Sequence, residues 1–271
     1  MIDLHSHTVA SDGQHTADEL FQMAKAAGVH TLAVTDHDTV DGLKACEDAA
    51  QKHGLTLVPG IELSAFINSK EVHVLGHFVD RTEAGISSFS EKLRGERRKR
   101  MEQMVVKMQG LGFPVTMEQV LGIAGDAHLA RPHLARVLVE LNYCTSTKEA
   151  FDRFLGDKRP AAVGRFQLSA EDAIAIIRQA KGAATLAHPG VSRVERFEVE
   201  KMAKAGLVGL EAEHSDHPPT MRDKFRSWAK DFNLVSTSGS DFHGEKVAPG
   251  RKLGTESMAP EALATLRSRV G

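Results

Sequence analysis

Histidines and carboxylates recur at the ends of short apolar runs in this chain. His5 and His7 stand two residues apart in D-L-H-S-H, and Asp241 and His243 repeat that spacing in S-D-F-H. Side chains two apart on an extended strand point to the same face, roughly 7 Å from each other. Imidazoles and carboxylates that converge in this way are typical ligands of divalent metal ions.

Seven apolar runs are separated mostly by helical patterns. The runs are residues 2–5, 31–35, 55–59, 71–75, 183–187, 207–211 and 234–238. Short β-branched runs bounded by Gly and Pro are typical of buried parallel strands. Thr16 and Glu19 have capping-box spacing, and Pro260 is placed to begin a last helix. Alternation of seven strands with helices predicts an α/β barrel.

One long stretch, residues 82–167, interrupts this alternation. It contains helical patterns and no convincing strand pattern. We therefore predict a metal-binding barrel built from residues 1–81 and 168–271, with residues 82–167 forming a helical insertion that caps the substrate.

Composition limits the class of protein. Hydrophobic residues make up 41% of the chain and charged residues 26%, with a formal net charge of −2, which suits a globular enzyme and gives no sign of a nucleic-acid coat. No apolar run approaches the ~20 residues that span a bilayer. The start M-I-D-L-H does not resemble a signal peptide, and Cys46 and Cys144 are too few for a disulfide framework. We expect a cytoplasmic protein with no membrane partner.

Six of the seven predicted strands end in histidine or carboxylate. The carboxyl ends of barrel strands share one rim, where the chemistry of such barrels lies. A single buried histidine is more often a satisfied core residue, so the joint placement carries the prediction of a metal centre. At about four to six ligands per ion, the donors suit two or three ions. The strand ends offer His5, His7, Asp12, Asp36, His37, Asp38, Glu62, His73, His77, His188, Asp241 and His243. Of these, the predicted ligands are His5, His7, Asp12, His37, Glu62, His73, His188, Asp241 and His243.

Five motifs in this order resemble the PHP domain family, named for polymerase and histidinol phosphatase. They are D-L-H-S-H-T-V-A-S-D-G, T-D-H-D, P-G-I-E, A-H-P and S-D-F-H. The resemblance covers residues 1–80 and 183–245 and is greatest to the 3',5'-nucleoside bisphosphate phosphatase group, which includes 5'-to-3' exoribonucleases acting on short RNA. It implies a distorted (β/α)7 barrel, with a trinuclear metal site.

The resemblance also implies how the ligands divide among three ions. The first ion would take His5, His7, Glu62 and Asp241. The second would share Glu62 and take His73 and His188. The third would take Asp12, His37 and His243. Ligands without thiolate suit Mn, Fe, Zn or Co, and we take manganese as the first choice.

The implied activity is removal of the 3'-phosphate from nucleoside 3',5'-bisphosphates, giving nucleoside 5'-monophosphates. We expect a metal-bound hydroxide to attack phosphorus, with Asp12 and His37 near the attacked phosphate. Asp36, Asp38 and His214 are candidates for orienting ligands, as is His15. The alternatives are a 5'-to-3' exoribonuclease on short RNA, a phosphatase acting on histidinol phosphate or a similar small monoester, and a non-enzymatic accessory module of a polymerase.

Arginines in the predicted insertion are candidates for holding a second phosphate. Arg97 and Arg100 share one helix face, and Arg131 precedes Pro132 and His133 at a predicted helix start. Alternatively, the segment with Arg97 and Arg100 is simply a solvated helix face, and Arg131 is an exposed residue at a capped helix start. Aromatic residues for stacking bases are scarce, so we predict a small nucleotide or short RNA as partner and no DNA.

Overall fold

The computed structural model describes residues 1–125, 129–164 and 166–270. These divide into two compact units. The first comprises residues 1–90 and 167–271, and the second comprises residues 91–166.

The first unit contains one seven-stranded sheet whose strands lie in chain order. The sheet is nearly closed into a barrel, because the Leu4 N–H donates to the Ser238 carbonyl at 3.2 Å and the His7 N–H donates to the Phe242 carbonyl at 3.0 Å. This confirms the predicted barrel. The strands are β1 (Ile2–Asp3), β2 (Thr31–Val34), β3 (Thr56–Ile67), β4 (Lys70–His77), β5 (Ala183–Leu186), β6 (Gly209–Glu213) and β7 (Val235–Ser238).

The prediction that all strands run parallel is wrong for β4. Strand β4 pairs antiparallel with β3 and with β5, whereas the other neighbours are parallel. Only Asn68 and Ser69 separate β3 from β4, and both adopt positive φ, at 49° and 64°. A tight connection of this kind joins antiparallel strands, since a parallel pair needs a crossover of a dozen or more residues.

The described residues form ten α-helices, and a π-turn follows α6 at Phe151–Leu155. The helices are α1 (Ala17–Ala26), α2 (Leu43–His53), α3 (Ala84–Gly110), α4 (Met117–Ala124), α5 (Arg131–Glu140), α6 (Thr147–Ala150), α7 (Ala170–Gln179), α8 (Arg196–Lys204), α9 (Pro219–Asp231) and α10 (Pro260–Ser268). The expected capping box of Thr16 and Glu19 is present at α1, and Pro260 begins α10. None of the described helices has the length and apolar character needed to cross a membrane.

Strand β3 shows how the barrel separates its core from its site. Ile61, Leu63 and Ala65 are buried in the largest apolar cluster of the chain, to which α1, α2 and α7 also contribute. Glu62 lies between them in sequence and therefore on the opposite face of the strand, where it is equally buried. The apolar face anchors β3 against helices, and the other face presents a carboxylate to the barrel interior.

The second unit has an apolar core of its own. Met104, Met108 and Val115 are buried in it with Leu134 and Leu138 of α5. Helix α4 begins with a capping box in which Thr116 and Gln119 satisfy each other's backbone N–H groups. The described residues of this unit contain helices and no strand.

Phe225 and Phe197 offer a matched test of core packing. Phe225 in α9 is 1% exposed, whereas Phe197 in α8 is 55% exposed. We expect Phe225→Ala to lower the free energy of unfolding by about 3–5 kcal/mol. Phe197→Ala should change it by less than about 0.5 kcal/mol. Urea unfolding of both variants in the presence of a chelator measures the difference, and equal effects would contradict the packing of α9 on the barrel.

Candidate metal centre

Several elements of the first unit bring the predicted ligands to one place. His5, His7 and Asp12 follow β1, His37 follows β2, and Glu62 lies inside β3. His73 lies inside β4, His188 follows β5, and the last two predicted ligands follow β7. Donor atoms of eight of the nine form three overlapping groups, within each of which the atoms lie no more than 4.8 Å apart; the ninth, His188, belongs to none of these groups but has its Nε2 3.1 Å from Glu62 Oε1. The groups are His5, His7, Glu62 and Asp241; His7, Asp12, His37 and His243; and His37, Glu62 and His73.

Glu62 stands at the centre of this arrangement, with imidazoles facing both of its oxygens, including Nδ1 of His37 at 3.3 Å from Oε2. Its Oε2 lies 3.1 Å from Nε2 of His5 and 3.1 Å from Nε2 of His7. Its Oε1 lies 2.8 Å from Nδ1 of His73 and 3.1 Å from Nε2 of His188. With imidazoles on both oxygens, Glu62 could be shared between two cations.

The two oxygens of Asp241 have different surroundings. Oδ1 lies 3.3 Å from Nε2 of His5 and 3.3 Å from Nε2 of His7. Oδ2 accepts a hydrogen bond from the Arg251 guanidinium and lies 3.5 Å from Nε2 of His214. Arg251 therefore holds Oδ2 and leaves Oδ1 directed at the histidine pair, while His214 lies within ion-pair distance of Oδ2.

The third group lies on the solvent side of the centre. Nε2 of His243 lies 3.3 Å from Oδ1 of Asp12, and Nε2 of His37 lies 3.8 Å from its Oδ2. The Asp12 side chain is 54% exposed, whereas the His7 side chain is buried. The rings of His7 and His243 stack with centroids 3.9 Å apart, which joins this group to the first one.

Backbone conformation at the site departs from the usual regions. Asp38, His188 and Asp241 have φ values of 58°, 23° and 50°, a region that side chains other than Gly seldom adopt. Such strain persists only where surrounding contacts hold the chain in place, and it is concentrated at functional sites.

Unpartnered nitrogens indicate that the site fits cations. Both ring nitrogens of His7, Nδ1 of His37 and Nδ1 of His188 are buried without hydrogen-bond geometry to any described residue. Buried polar atoms are seldom left in this state. The donors are imidazoles and carboxylates, a set suited to divalent transition metals.

Electrostatics give the same picture. Burial by itself would raise the pKa of the Glu62 carboxyl, but the imidazoles of His37, His5 and His73 hold that pKa well below its usual range. Burial would lower the pKa of His7 and His73, but their carboxylate neighbours raise it to about 9 and about 10. Burial prevails at His37 and lowers its pKa to about 4. The buried carboxylates thus require positive charge, which protons or metal ions can supply.

Some predicted placements differ in the structure. Glu62 and His73 lie inside strands rather than at strand ends, because β3 continues past the rim into the hairpin with β4. His77, another strand-end candidate, donates from Nε2 to the Leu4 carbonyl at 2.9 Å and belongs to none of the three donor groups. Asp36 accepts hydrogen bonds from the backbone and hydroxyl of Thr8, so it braces the loop after β1.

The remaining orienting candidates have distinct surroundings. Asp38 accepts a hydrogen bond from the Ser64 N–H at 2.9 Å, and His15 stacks on Phe242 with centroids 5.9 Å apart. Nε2 of His214 lies at an ion-pair distance of 3.5 Å from Oδ2 of Asp241, which is a predicted ligand.

Sequence reasoning missed Glu211 and Arg251. Glu211 contacts both His5 and His188, and Arg251 contacts Asp241. Glu211 ends the sixth apolar run, so its strand-end position was a usable signal. Arg251 lies in a loop after β7 and had no such signal.

The candidate phosphate ligands belong to the second unit. Nη1 of Arg131 donates to Asp157 Oδ1 at 2.9 Å and to the Leu155 carbonyl at 3.3 Å, and Nδ1 of His133 accepts from the Ala130 N–H at 3.1 Å.

In helix α3, the predicted pair Arg97 and Arg100 is half-buried. Arg100 donates to the Val163 carbonyl at 2.9 Å. The neighbouring Arg98 is exposed and pairs with Glu102 at 3.1 Å.

Comparisons with known proteins show what the whole chain is similar to. The PHP domain family matches residues 3–142. A 5'-3' exoribonuclease of Haemophilus influenzae is 33% identical over 245 residues, covering 89% of this chain and 89% of that protein. A 3',5'-nucleoside bisphosphate phosphatase of Chromobacterium violaceum is 31% identical over 265 residues, covering 96% of this chain and 93% of that protein.

A solved structure shares nearly the whole fold. It is a Bifidobacterium adolescentis protein described as a metal-dependent phosphoesterase, with a TM-score of 0.84 and 30% sequence identity. The alignment covers 99% of this chain and 96% of that one. The expected family, fold and hydrolase class are therefore confirmed.

Cation binding should release protons at neutral pH. His7 and His73 have pKa values of about 9 and about 10 in the cation-free protein, so both carry protons that a coordinating nitrogen must lose. The release should persist until pH rises through these values and then disappear. Calorimetric titration of chelator-treated protein with Mn²⁺, in two buffers of different ionisation enthalpy, measures it. Identical heats in both buffers at neutral pH would contradict the prediction.

Proposed function

The chain belongs to the PHP domain family, and we propose that it removes the 3'-phosphate from nucleoside 3',5'-bisphosphates. It is a metal-dependent phosphoesterase by family and fold. The Chromobacterium violaceum relative, named as a 3',5'-nucleoside bisphosphate phosphatase, supports the finer assignment. The product would be a nucleoside 5'-monophosphate.

One observation carries this proposal: donors from six strands and their loops meet around the buried Glu62 carboxylate. We propose three ion sites, with manganese as the first choice. His5, His7, Glu62 and Asp241 would hold one ion. Glu62, His73 and His188 would hold a second, and Asp12, His37 and His243 would hold a third.

Two cavities beside these residues support a substrate larger than phosphate. A cavity of about 180 Å³ is lined in part by His73 and His188. A second cavity of about 670 Å³ is lined in part by Asp12 and Asp216. Both have His243 and Arg251 in their walls. We propose that the smaller receives the phosphate that is cleaved and the larger receives part of the leaving group.

The residues of the centre have separable roles in this proposal. Bound divalent cations supply Lewis acidity, which activates water and offsets the charge of phosphate oxygens. Asp12 and His37, on the solvent side, would lie near the attacked phosphate. Arg251 would orient Asp241 by donating to its Oδ2, with His214 3.5 Å from the same oxygen. Arg251 is also placed to contact an anion, because its guanidinium lines both cavities.

A second candidate is a 5'-to-3' exoribonuclease acting on short RNA. The Haemophilus influenzae relative, named as a 5'-3' exoribonuclease, favours it. Both activities cleave a phosphoester of a ribonucleotide, and the same donors could serve either one.

A three-substrate assay distinguishes the candidates. We expect protein loaded with Mn²⁺ to show its highest kcat/KM on adenosine 3',5'-bisphosphate, a lower value on a short 5'-phosphorylated RNA, and the lowest on histidinol phosphate. Chelation should abolish all three activities, and added Mn²⁺ should restore them. A preference for the RNA would replace the first candidate by the second, and activity that survives rigorous chelation would contradict the metal centre.

The arginines of the second unit provide a test of substrate size. We propose that Arg131 and His133, with Arg97 and Arg100, bind the phosphate that is retained. Arg131→Ala should then raise KM about tenfold or more for a bisphosphate, since a charge-assisted hydrogen bond contributes about 1.5–3 kcal/mol. It should have little effect on an aryl monophosphate.

Arg136→Ala is the matched control, because Arg136 is exposed on the same helix. It should leave both KM values unchanged. An equal rise in KM for the bisphosphate and the aryl phosphate would remove Arg131 from the binding site and leave it a structural partner of Asp157.

A further inference from the structure

Glu211 is a buried acid outside the proposed ligand set. It lies on β6 between Leu210 and Ala212, which belong to the apolar cluster facing the helices, so its side chain faces the barrel interior. It is 1% exposed, and its two oxygens have different partners. Oε1 lies 3.0 Å from Nδ1 of His5, and Oε2 accepts a hydrogen bond from the His188 N–H at 2.7 Å.

These two histidines meet Glu62 from opposite sides. His5 Nε2 lies 3.1 Å from Glu62 Oε2, and His188 Nε2 lies 3.1 Å from Glu62 Oε1. We propose that Glu211 is a positioning residue, which orients His5 and His188 together and thereby makes the two cation sites that share Glu62 form as a unit. This inference rests on the metal centre of the proposed function but not on its substrate.

Hydrogen bonding at His5 defines which nitrogen is available to a cation. An ionised carboxylate is only an acceptor, and the two oxygens of Glu211 face two nitrogens, Nδ1 of His5 and the backbone N–H of His188. Nδ1 of His5 must therefore carry a hydrogen towards Glu211. Nε2 is then the nitrogen whose lone pair can face a cation, in the direction of Glu62 and Asp241.

At His188 the contact acts through the backbone. The residue has a φ of 23°, which is costly for a side chain other than Gly. The 2.7 Å hydrogen bond from its N–H to Glu211 stabilises this conformation and so holds the imidazole where β5 ends. A neutral acceptor would make a weaker bond than the carboxylate does.

Gly239 makes room for this arrangement. A Cβ at that position would lie 2.2 Å from the His5 Cβ and 2.7 Å from Glu211 Oε1. Both distances are far inside van der Waals contact, so any side chain larger than hydrogen would displace His5 or Glu211. The glycine after β7 therefore permits the carboxylate and the imidazole to approach from neighbouring parts of the barrel.

Glu211→Gln is the main test because it keeps the shape and removes one acceptor. Its amide can accept from His5 or from His188 but cannot accept from both, since one of its two polar atoms is a donor. We expect the dissociation constant for Mn²⁺ to rise by about 10- to 100-fold, the usual range when such a supporting contact is lost. Competition with a chelator measures the constant, and elemental analysis counts the retained ions.

Glu213→Gln is the matched control. Glu213 lies on the same strand and pairs with Arg222 and Arg226, away from the proposed ligands. It should retain wild-type Mn²⁺ affinity and stoichiometry. Unchanged affinity in Glu211→Gln, or an equal loss in both variants, would overturn the proposal.

A measurement on the unaltered protein covers the case in which Glu211→Gln fails to fold. Nitrogen-15 NMR of the Zn²⁺-loaded wild-type protein should show His5 protonated at Nδ1 and coordinated at Nε2. Coordination through Nδ1, or uptake of no divalent cation, would overturn the inference. Neither experiment measures turnover. If cation binding depends on Glu211 but the wild-type protein does not hydrolyse bisphosphates, only the proposed substrate is contradicted.

Discussion

The structure depends on keeping a fully buried carboxylate, Glu62, in its ionised form. Burying an ionised carboxylate costs on the order of several kcal/mol of folding free energy unless positive charge lies close to it. Four imidazoles face its two oxygens at 2.8–3.1 Å and can supply that charge as protons or by coordinating metal ions. The positive charge that a bound metal ion would bring to Glu62 would therefore also stabilise the barrel interior.

The antiparallel direction of β4 places an imidazole beside the buried Glu62 carboxylate. In a parallel barrel, each strand would deliver side chains to the rim only at its carboxyl end. Because β4 is antiparallel, His73 reaches the rim from the amino-terminal half of its strand, opposite Ser64 and close to Glu62. The β3–β4 hairpin thus brings a carboxylate and an imidazole together through local pairing, without a crossover helix.

Residues outside the proposed ligand set contact the ligands and restrict their orientation. Glu211 engages the far side of His5, and Arg251 and His214 engage the far oxygen of Asp241. Each of these contacts leaves one donor atom of a proposed ligand directed inward. The second unit has an apolar core of its own, separate from the apolar cluster of the barrel.

Sequence alone determined the residue types and their order: seven apolar runs, the helix caps at Thr16 and Pro260, and the nine imidazole and carboxylate donors. These are local features, because periodicity, capping and strand-end position are set within a few residues. Tertiary structure decided that β4 is antiparallel, that Glu62 lies mid-strand facing inward, and that Glu211 and Arg251 support the ligands. Strand direction and side-chain neighbours depend on hydrogen bonds between segments distant in the chain, and no local pattern encodes those partners.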